Sequence, residues 1–177
     1  FNIDTTGDGT DFGNLNNSIQ QPGSASSRSR GCIAGGNDGS ELNVIDFVTI
    51  ATAGNATDFG NLTVARGSGS ASASSTKAVF FGGGNPDATT NVIDFVEIAS
   101  TGNAADFGDL TQSRTRTAGV GNSLRGLCGG GENEPNVYDI IDFVTISTAG
   151  NAADFGDMLT QNRLSASASN GHGGIEI

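Results

Sequence analysis

The sequence predicts an all-β chain built from a tandem repeat. The tripeptide Asp-Phe-Gly begins at residues 11, 58, 106 and 154, so successive copies lie 47, 48 and 48 residues apart. Val, Ile, Thr and Phe come in short runs that lack the 3.6-residue periodicity of helices. With 28 glycines, 10 Phe and no Trp among 177 residues, the composition favours strands and tight turns around a core of small residues.

We expect one repeat domain over residues 1–177, because this length suits a single core. It divides into a partial unit at 1–19, full units at 20–66, 67–114 and 115–163, and a partial unit at 164–177. The last residues match the start of a repeat strand and the first residues match its continuation. The two terminal segments are therefore predicted to share one unit, either within one chain or between neighbouring chains.

Each full unit has a strand that ends in consecutive glycines, then a polar loop, then an Ile-Asp-Phe-Val strand. Consecutive glycines end a strand and let a neighbouring backbone approach closely. The Ile-Asp-Phe-Val strand is apolar on both faces apart from its acid, so we expect other sheets to cover both faces. A buried carboxylate needs partners, and we expect turn amides or repeat arginines to donate to Asp46, Asp94 and Asp142.

A stretch rich in Ser, Thr and Ala follows each Asp-Phe-Gly, usually after an arginine. The arginines are Arg66, Arg114 and Arg163, and the first unit has Ile19 at this place. Stretches such as 71–74 and 166–169 could be disordered linkers, but their fixed place in the repeat favours narrow inner strands.

This order of features resembles the kelch repeat. One unit runs from Arg66 through Gly82-Gly83, Asn91 and Ile93-Asp94-Phe95 to Phe107 and Leu110. Phe stands where kelch units typically carry Trp, and Asp-Phe where they typically carry Tyr-Asp. The resemblance covers nearly the whole chain and implies a β-propeller of about four 47–48-residue repeats, with a terminal blade shared between the N- and C-terminal strands.

The residue pattern of the repeat is also similar to tandem repeats in structural proteins of marine and cyanobacterial phages. That similarity implies a virion fibre or appendage. We therefore expect a non-catalytic structural or adhesion module, located in the virion or outside the cell. Its expected partners are further copies of itself, other virion structural proteins, and a host surface glycan or protein.

Candidate ligand-binding residues lie in the polar loops after the glycine runs, because these loops differ from unit to unit. They are Asn37, Asp38, Glu41, Asn85, Asp87, Glu132, Asn133 and Glu134.

No catalytic residue and no cofactor are expected. Asp-Phe-Gly occurs once in a protein kinase, together with a lysine strand and a catalytic loop, whereas here it recurs without either. His172, the single histidine, has no partner for a triad, and the glycine runs lack the Gly-Lys-Ser/Thr ending of a phosphate loop. A propeller glycosidase is an alternative, since glycosidases use paired carboxylates and the repeat contains recurring acids. An extracellular filament assembled by strand exchange is the other alternative.

The formal charge of −11 argues against nucleic acid as a partner, and no apolar stretch suits membrane insertion. A calcium site at Asp4, Asp8 and Asp11 is a weak candidate, because the EF-hand spacing and its closing Glu are absent. Cys32 and Cys128 are offset by one position in equivalent strands, so we expect opposite faces and no disulfide.

Overall fold

A computed structural model describes residues 8–85 and 88–168, and the regular elements in these ranges are all β-strands. Sheet 1 contains β1 (Gly23–Ser26), β2 (Arg30–Ala34), β3 (Val44–Thr49) and β4 (Thr57–Asn61). Sheet 2 contains β5 (Ser70–Ala73), β6 (Lys77–Asn85), β7 (Ala88–Glu97) and β8 (Ala105–Asp109). The chain continues through β9 (Ala118–Gly121), β10 (Arg125–Gly129), β11 (Glu132–Asn133), β12 (Asn136–Val137), β13 (Ile140–Thr145) and β14 (Ala153–Asp157). Sheet 3 comprises β9, β10, β13 and β14, whereas β11 and β12 form a separate hairpin. The all-β prediction is confirmed.

The three sheets share one antiparallel topology, in which strands adjacent in the repeat are adjacent in the sheet. The pairing register also repeats, because Cys32 lies opposite Phe47 as Leu127 lies opposite Phe143. The pairing of the third and fourth strands shifts at the Ile-Asp step of every sheet, next to Asp46, Asp94 and Asp142. This shift is a β-bulge, which locally re-aims the side chains of the strand.

Sheet 2 is packed between the other two sheets. On one side its Phe80, Val96 and Ile98 form a core layer with residues of sheet 1 such as Ile45 and Phe59. On the other side its residues pack with those of sheet 3, in a layer that includes Phe81, Ile93, Phe107, Cys128 and Val144. For β7, the prediction that other sheets cover both faces is therefore confirmed.

Among the first strands of the three sheets, β5 lies next to both β1 and β9. Small side chains are needed there, since a Cβ on Gly119 would stand 2.4 Å from the carbonyl oxygen of Ala71. The prediction that the stretch 71–74 forms a strand is confirmed by β5, which spans Ser70–Ala73. In the corresponding later stretch, residues 166–168 form no strand, although the Ser167 hydroxyl donates to the Gly119 carbonyl at 2.6 Å.

The antiparallel topology divides the connections between two ends of the sheets. The loop end carries the polar loops after the glycine runs (36–43, 83–91 and 131–139) and the connections between sheets (62–69 and 110–117). The turn end carries the Gly-Asn-Ala turns at 54–56, 102–104 and 150–152.

Candidate functional site at the loop end

The first three Asp-Phe-Gly segments each bind the Gly-Asn-Ala turn of the following repeat through their main chain. Between sheets 2 and 3, Gly150 N donates to Phe107 O at 2.7 Å and Ala152 N donates to Asp109 O at 2.8 Å. Asp109 N donates in turn to Asn151 Oδ1 at 3.1 Å. We call this contact the latch. The same bonds occur at two other places, Phe12 to Asn14 with Gly54 to Ala56, and Phe59 to Asn61 with Gly102 to Ala104.

The glycine of Asp-Phe-Gly allows the close approach in the latch. A Cβ on Gly108 would lie 2.5 Å from the carbonyl atoms of Gly150, and its φ of 144° also favours glycine. The preceding acid supports the turn, because Asp106 Oδ1 accepts from Gly108 N at 3.2 Å. The recurring motif therefore connects sheets, which accounts for its recurrence.

The repeat aspartates bind the connection that enters their own sheet. Asp94 accepts from Thr63 N at 3.0 Å and from Thr63 Oγ1 at 2.6 Å, and its Oδ2 lies 2.9 Å from Arg66 Nη1. Burial lowers the pKa of Arg66, and the charge of Asp94 and its hydrogen bond oppose that effect. Asp142 has the equivalent partners Thr111 and Arg114. The prediction that turn amides and repeat arginines hold these buried carboxylates is confirmed for both.

In the first repeat, the buried aspartate is bound without an arginine. Asp46 is buried and accepts from Asn16 N at 3.2 Å and from Asn16 Nδ2 at 2.7 Å. Asn16 takes the place that Thr63 and Thr111 occupy in the other two units. The amide side chain thus replaces a hydroxyl where Ile19 supplies no charge.

The third repeat arginine is displaced by one residue. Gly36 N and Gly83 N donate to the carbonyl oxygens of Arg66 and Arg114, but Gly131 N donates to that of Asn162. Asn162 is therefore the structural equivalent, and the expectation that Arg163 fills this place is wrong. The extra residue in Met158-Leu159, where the other units have a single Leu, accounts for the displacement.

Arg163 instead pairs with Glu132, together with Arg116. Both arginines donate to the Glu132 carboxylate, which is 1% exposed. Burial disfavours the ionised carboxylate, but the hydrogen bonds and charges of Arg163 and Arg116 outweigh it and lower the pKa of Glu132. Of the candidate loop residues, Glu132 is thus already engaged within the chain.

The other candidate loop residues that the structure describes lie at the loop end, as the topology requires. Asp38 is exposed, Asn37 and Glu41 are partly exposed, and Asn37 Oδ1 accepts from Gly39 N at 2.8 Å. In sheet 2 the loop is an extended hairpin in which Asn85 ends β6. Asp87 lies outside the described residues.

The third loop folds on itself. Its hairpin pairs Asn133 with Asn136, and Glu134 is exposed between the two short strands. The three loops therefore offer different backbones and different polar groups at one end of the sheets. Their binding role stays a prediction.

A pocket of about 210 Å³ lies among the sheet connections at the loop end. Its lining includes one residue from each of four connections, and these four residues have φ between 54° and 58°. In the first three connections the residue comes two positions after the place of the repeat arginine, and in the last it comes one position after Arg163. One main-chain bond joins each to the next, at 2.7–3.0 Å. The residues are Gln21, Ser68, Arg116 and Leu164.

These pocket residues were not predicted as a site. Their spacing of 47, 48 and 48 residues matches that of Asp-Phe-Gly, so the repeat contained the signal. The side chains of these four residues differ from unit to unit, so residue type did not mark them as a site. Arg116, the cation among them, is engaged by Glu132.

Of the proposed calcium ligands, Asp11 has a partner within its own turn. Asp11 Oδ1 accepts from Gly13 N at 3.0 Å, as the aspartates of the other Asp-Phe-Gly copies do in their own turns. Asp8 is exposed, and Asp4 lies outside the described residues. Within 8–85 and 88–168, no three His, Cys, Asp or Glu side chains gather as a metal site would require.

The two cysteines are free thiols in separate core layers. Cys32 packs between sheets 1 and 2, and Cys128 packs between sheets 2 and 3. They face opposite sides of their own sheets, as the one-position offset predicts. Burial raises the pKa of Cys32 to about 11, against the opposing charge of Arg30.

No protein-family model matches this chain, and no curated protein is similar to it in sequence. In the described residues there is no helix with the length and apolarity needed to cross a membrane.

Proposed function

We propose that the three sheets are blades of a kelch-like β-propeller of about four repeats. The neighbouring inner strands β1, β5 and β9 support this arrangement, as do the latches that join one repeat to the next. Four successive connections also line one pocket at the loop end. In this proposal the N- and C-terminal segments supply the remaining blade between them, either within one chain or between neighbouring chains.

We further propose that the chain is a non-catalytic module that binds a surface glycan through its loop end. The observation that carries the proposal is the gathering of three dissimilar polar loops at one end of three nearly identical sheets. Polar loops on a rigid scaffold are a common way to vary recognition without changing the fold. The buried repeat carboxylates support a non-catalytic role, because contacts with the connecting segments occupy them.

The proposed setting is a virion fibre or appendage, outside the host cell. This part rests on the similarity of the repeat wording to phage structural proteins. Other virion structural proteins would then be the partners on the remaining surfaces. The formal charge of −11 supports a partner other than nucleic acid.

Replacing the loop residues tests the proposed function. The labelled full chain would be applied to a glycan array, and residues 37–42 would be replaced by a Gly/Ser segment of equal length. Loss of bound glycans is expected for this variant, while substitution of the exposed turn residues Ser147 and Thr148 by Gly should leave binding intact. Equal binding by the loop variant, or the absence of any glycan bound by the wild type, would contradict the proposal.

A further inference from the structure

The last latch surface of the chain has no partner in the described residues. Phe155 is 53% exposed, whereas its equivalents Phe59 and Phe107 are each 3% exposed. A Cβ on Gly156 would meet no atom within 4 Å, whereas those on Gly60 and Gly108 would meet the next turn. Strand β14 therefore presents the same main-chain groups as β4 and β8, but uncovered.

The chain also contains a turn segment that fits this surface. Asp8 stands three residues before Asp11, the place that Asn55, Asn103 and Asn151 occupy in the other repeats. Each of these asparagines uses its Oδ1 as an acceptor for a main-chain N–H. A carboxylate is an acceptor too, so aspartate can replace asparagine in this bond. Asp8 and Gly9 are exposed.

The face of β10 and β13 beside the uncovered latch surface carries an arginine over a Phe ring, as the same face of sheet 1 does. In sheet 1, Arg30 lies over the Phe47 ring at 4.5 Å and donates to the Ile98 carbonyl of the next sheet at 2.9 Å. In sheet 3, Arg125 lies over the Phe143 ring at 4.7 Å, and its side chain is exposed. Sheet 3 therefore presents a face like that of sheet 1, on which a following sheet could pack.

We propose that β14 of one chain binds the Asp8 segment of a second copy, so that copies associate head to tail. Asp157 N would donate to the Asp8 carboxylate, as Asp109 N donates to Asn151 Oδ1. A second copy is the occupant because, among the described residues, Asp8 and Gly9 are exposed and form no hydrogen bond with β14 of their own chain, so the shared blade joins two copies. The contact is heterologous, so it produces either a ring or a filament.

The proposed association would leave the described contacts of each copy in place. In the second copy, residues 12–14 already occupy the latch of its own sheet 1, and Phe12 is 41% exposed. In the first copy, Ser167 lies against Gly119 at the inner edge of sheet 3. The sheet between the copies would therefore have its outer edge from one chain and its inner edge from the other. This inference rests on the proposed repeat architecture but not on any ligand of the loops.

The test measures association of the purified full chain by sedimentation velocity over a range of concentrations. The wild type should form dimers or larger species as concentration rises. Gly156→Ala, which blocks the open latch, and Asp8→Ala, which removes the acceptor, should each associate about tenfold or more weakly. Leu124→Ser changes an exposed apolar residue in the β9–β10 turn and should associate as the wild type does.

Mixing the two defective variants gives the sharper result. Gly156→Ala retains a free Asp8 segment, and Asp8→Ala retains a free β14, so the mixture should form a 1:1 dimer that neither forms alone. Asp8→Asn should associate more tightly than the wild type, because it removes the like charges of Asp8 and Asp157 and reproduces the Asn151–Asp109 pair. A wild type that stays monomeric, variants that associate equally, or a mixture that stays monomeric would each overturn the inference. None of these outcomes depends on glycan binding, so failure of the proposed function would be seen separately.

Discussion

Arg114 and Asp142 form a fully buried ion pair, with Arg114 Nη2 3.0 Å from Asp142 Oδ2. Arg114 lies in the connection that enters sheet 3, and Asp142 lies in β13 within that sheet. The same nitrogen donates to the Cys128 carbonyl, also at 3.0 Å. The pair thereby fixes the connection against two strands of the sheet that it enters.

Removing the acid of this pair should destabilise the chain more than removing its counterpart in the first repeat. Asp142→Asn leaves the buried Arg114 without a counter-charge and should cost about 3–5 kcal/mol. Asp46→Asn affects a carboxylate whose partner is Asn16, and should cost about 1 kcal/mol.

Urea unfolding of both variants at neutral pH would measure this difference. The two sites are equally buried repeat equivalents, so each serves as the control for the other. Equal losses of unfolding free energy would show that the arginine contributes nothing specific.

The Glu132 cluster should make stability depend on pH in the acid range. The pKa of Glu132 is lowered in the folded chain. Its contribution to stability is therefore present above the ordinary Glu value of 4.5 and is lost as the pH falls through the folded value. Glu132→Gln should lower stability at neutral pH and make the fall of the urea midpoint below pH 4.5 less steep.

Glu134→Gln is the matched control, since Glu134 is exposed in the same loop. It should follow the wild-type pH profile. An unchanged profile for Glu132→Gln would exclude the two-arginine cluster as a source of acid sensitivity.

The cysteines should be unreactive in the folded chain. Cys32 has a pKa of about 11, and both thiols are buried. A thiol-specific chromogenic reagent at pH 8 should therefore label neither residue until urea unfolds the chain, because the thiolate is the reactive form.

The raised pKa of Cys32 also predicts a contribution to the free energy of unfolding. This contribution is fully present below the ordinary thiol value of 9.0 and declines as the pH rises toward about 11.

Rapid labelling of either thiol without denaturant would show that its core layer opens readily. Identification of the labelled residue by mass spectrometry would then say which of the two layers is the weaker.

Local features of the fold were predictable because they recur at the same place in each repeat. The strand at Ile93-Asp94-Phe95-Val96, the small-residue strand β5 and the need of Asp94 for polar partners all follow from residue type and position. The latch could not be predicted in this way, because its bonds join main-chain atoms of segments more than 40 residues apart. Sequence alone also misplaced Arg163, since a single extra residue puts Asn162 in the place of Arg66 and Arg114 while Arg163 pairs with Glu132.

The loop end shows the same division between local and tertiary features. Variation between repeats identified the loops, but only tertiary contacts show that two arginines already hold the Glu132 carboxylate. The pocket formed around Ser68 and Arg116 depends on how the connections converge, which no single segment specifies.

The most direct test of the central claim, that Asp-Phe-Gly joins one sheet to the next, compares Gly108→Ala with Gly156→Ala. Both glycines have φ near 140°, so the conformational strain of alanine is similar at the two positions. Only Gly108 lies against a following turn, where a Cβ would stand 2.5 Å from Gly150. Urea unfolding of dilute protein should show Gly108→Ala less stable than Gly156→Ala by about 1–3 kcal/mol. Equal stability of the two variants would contradict the account.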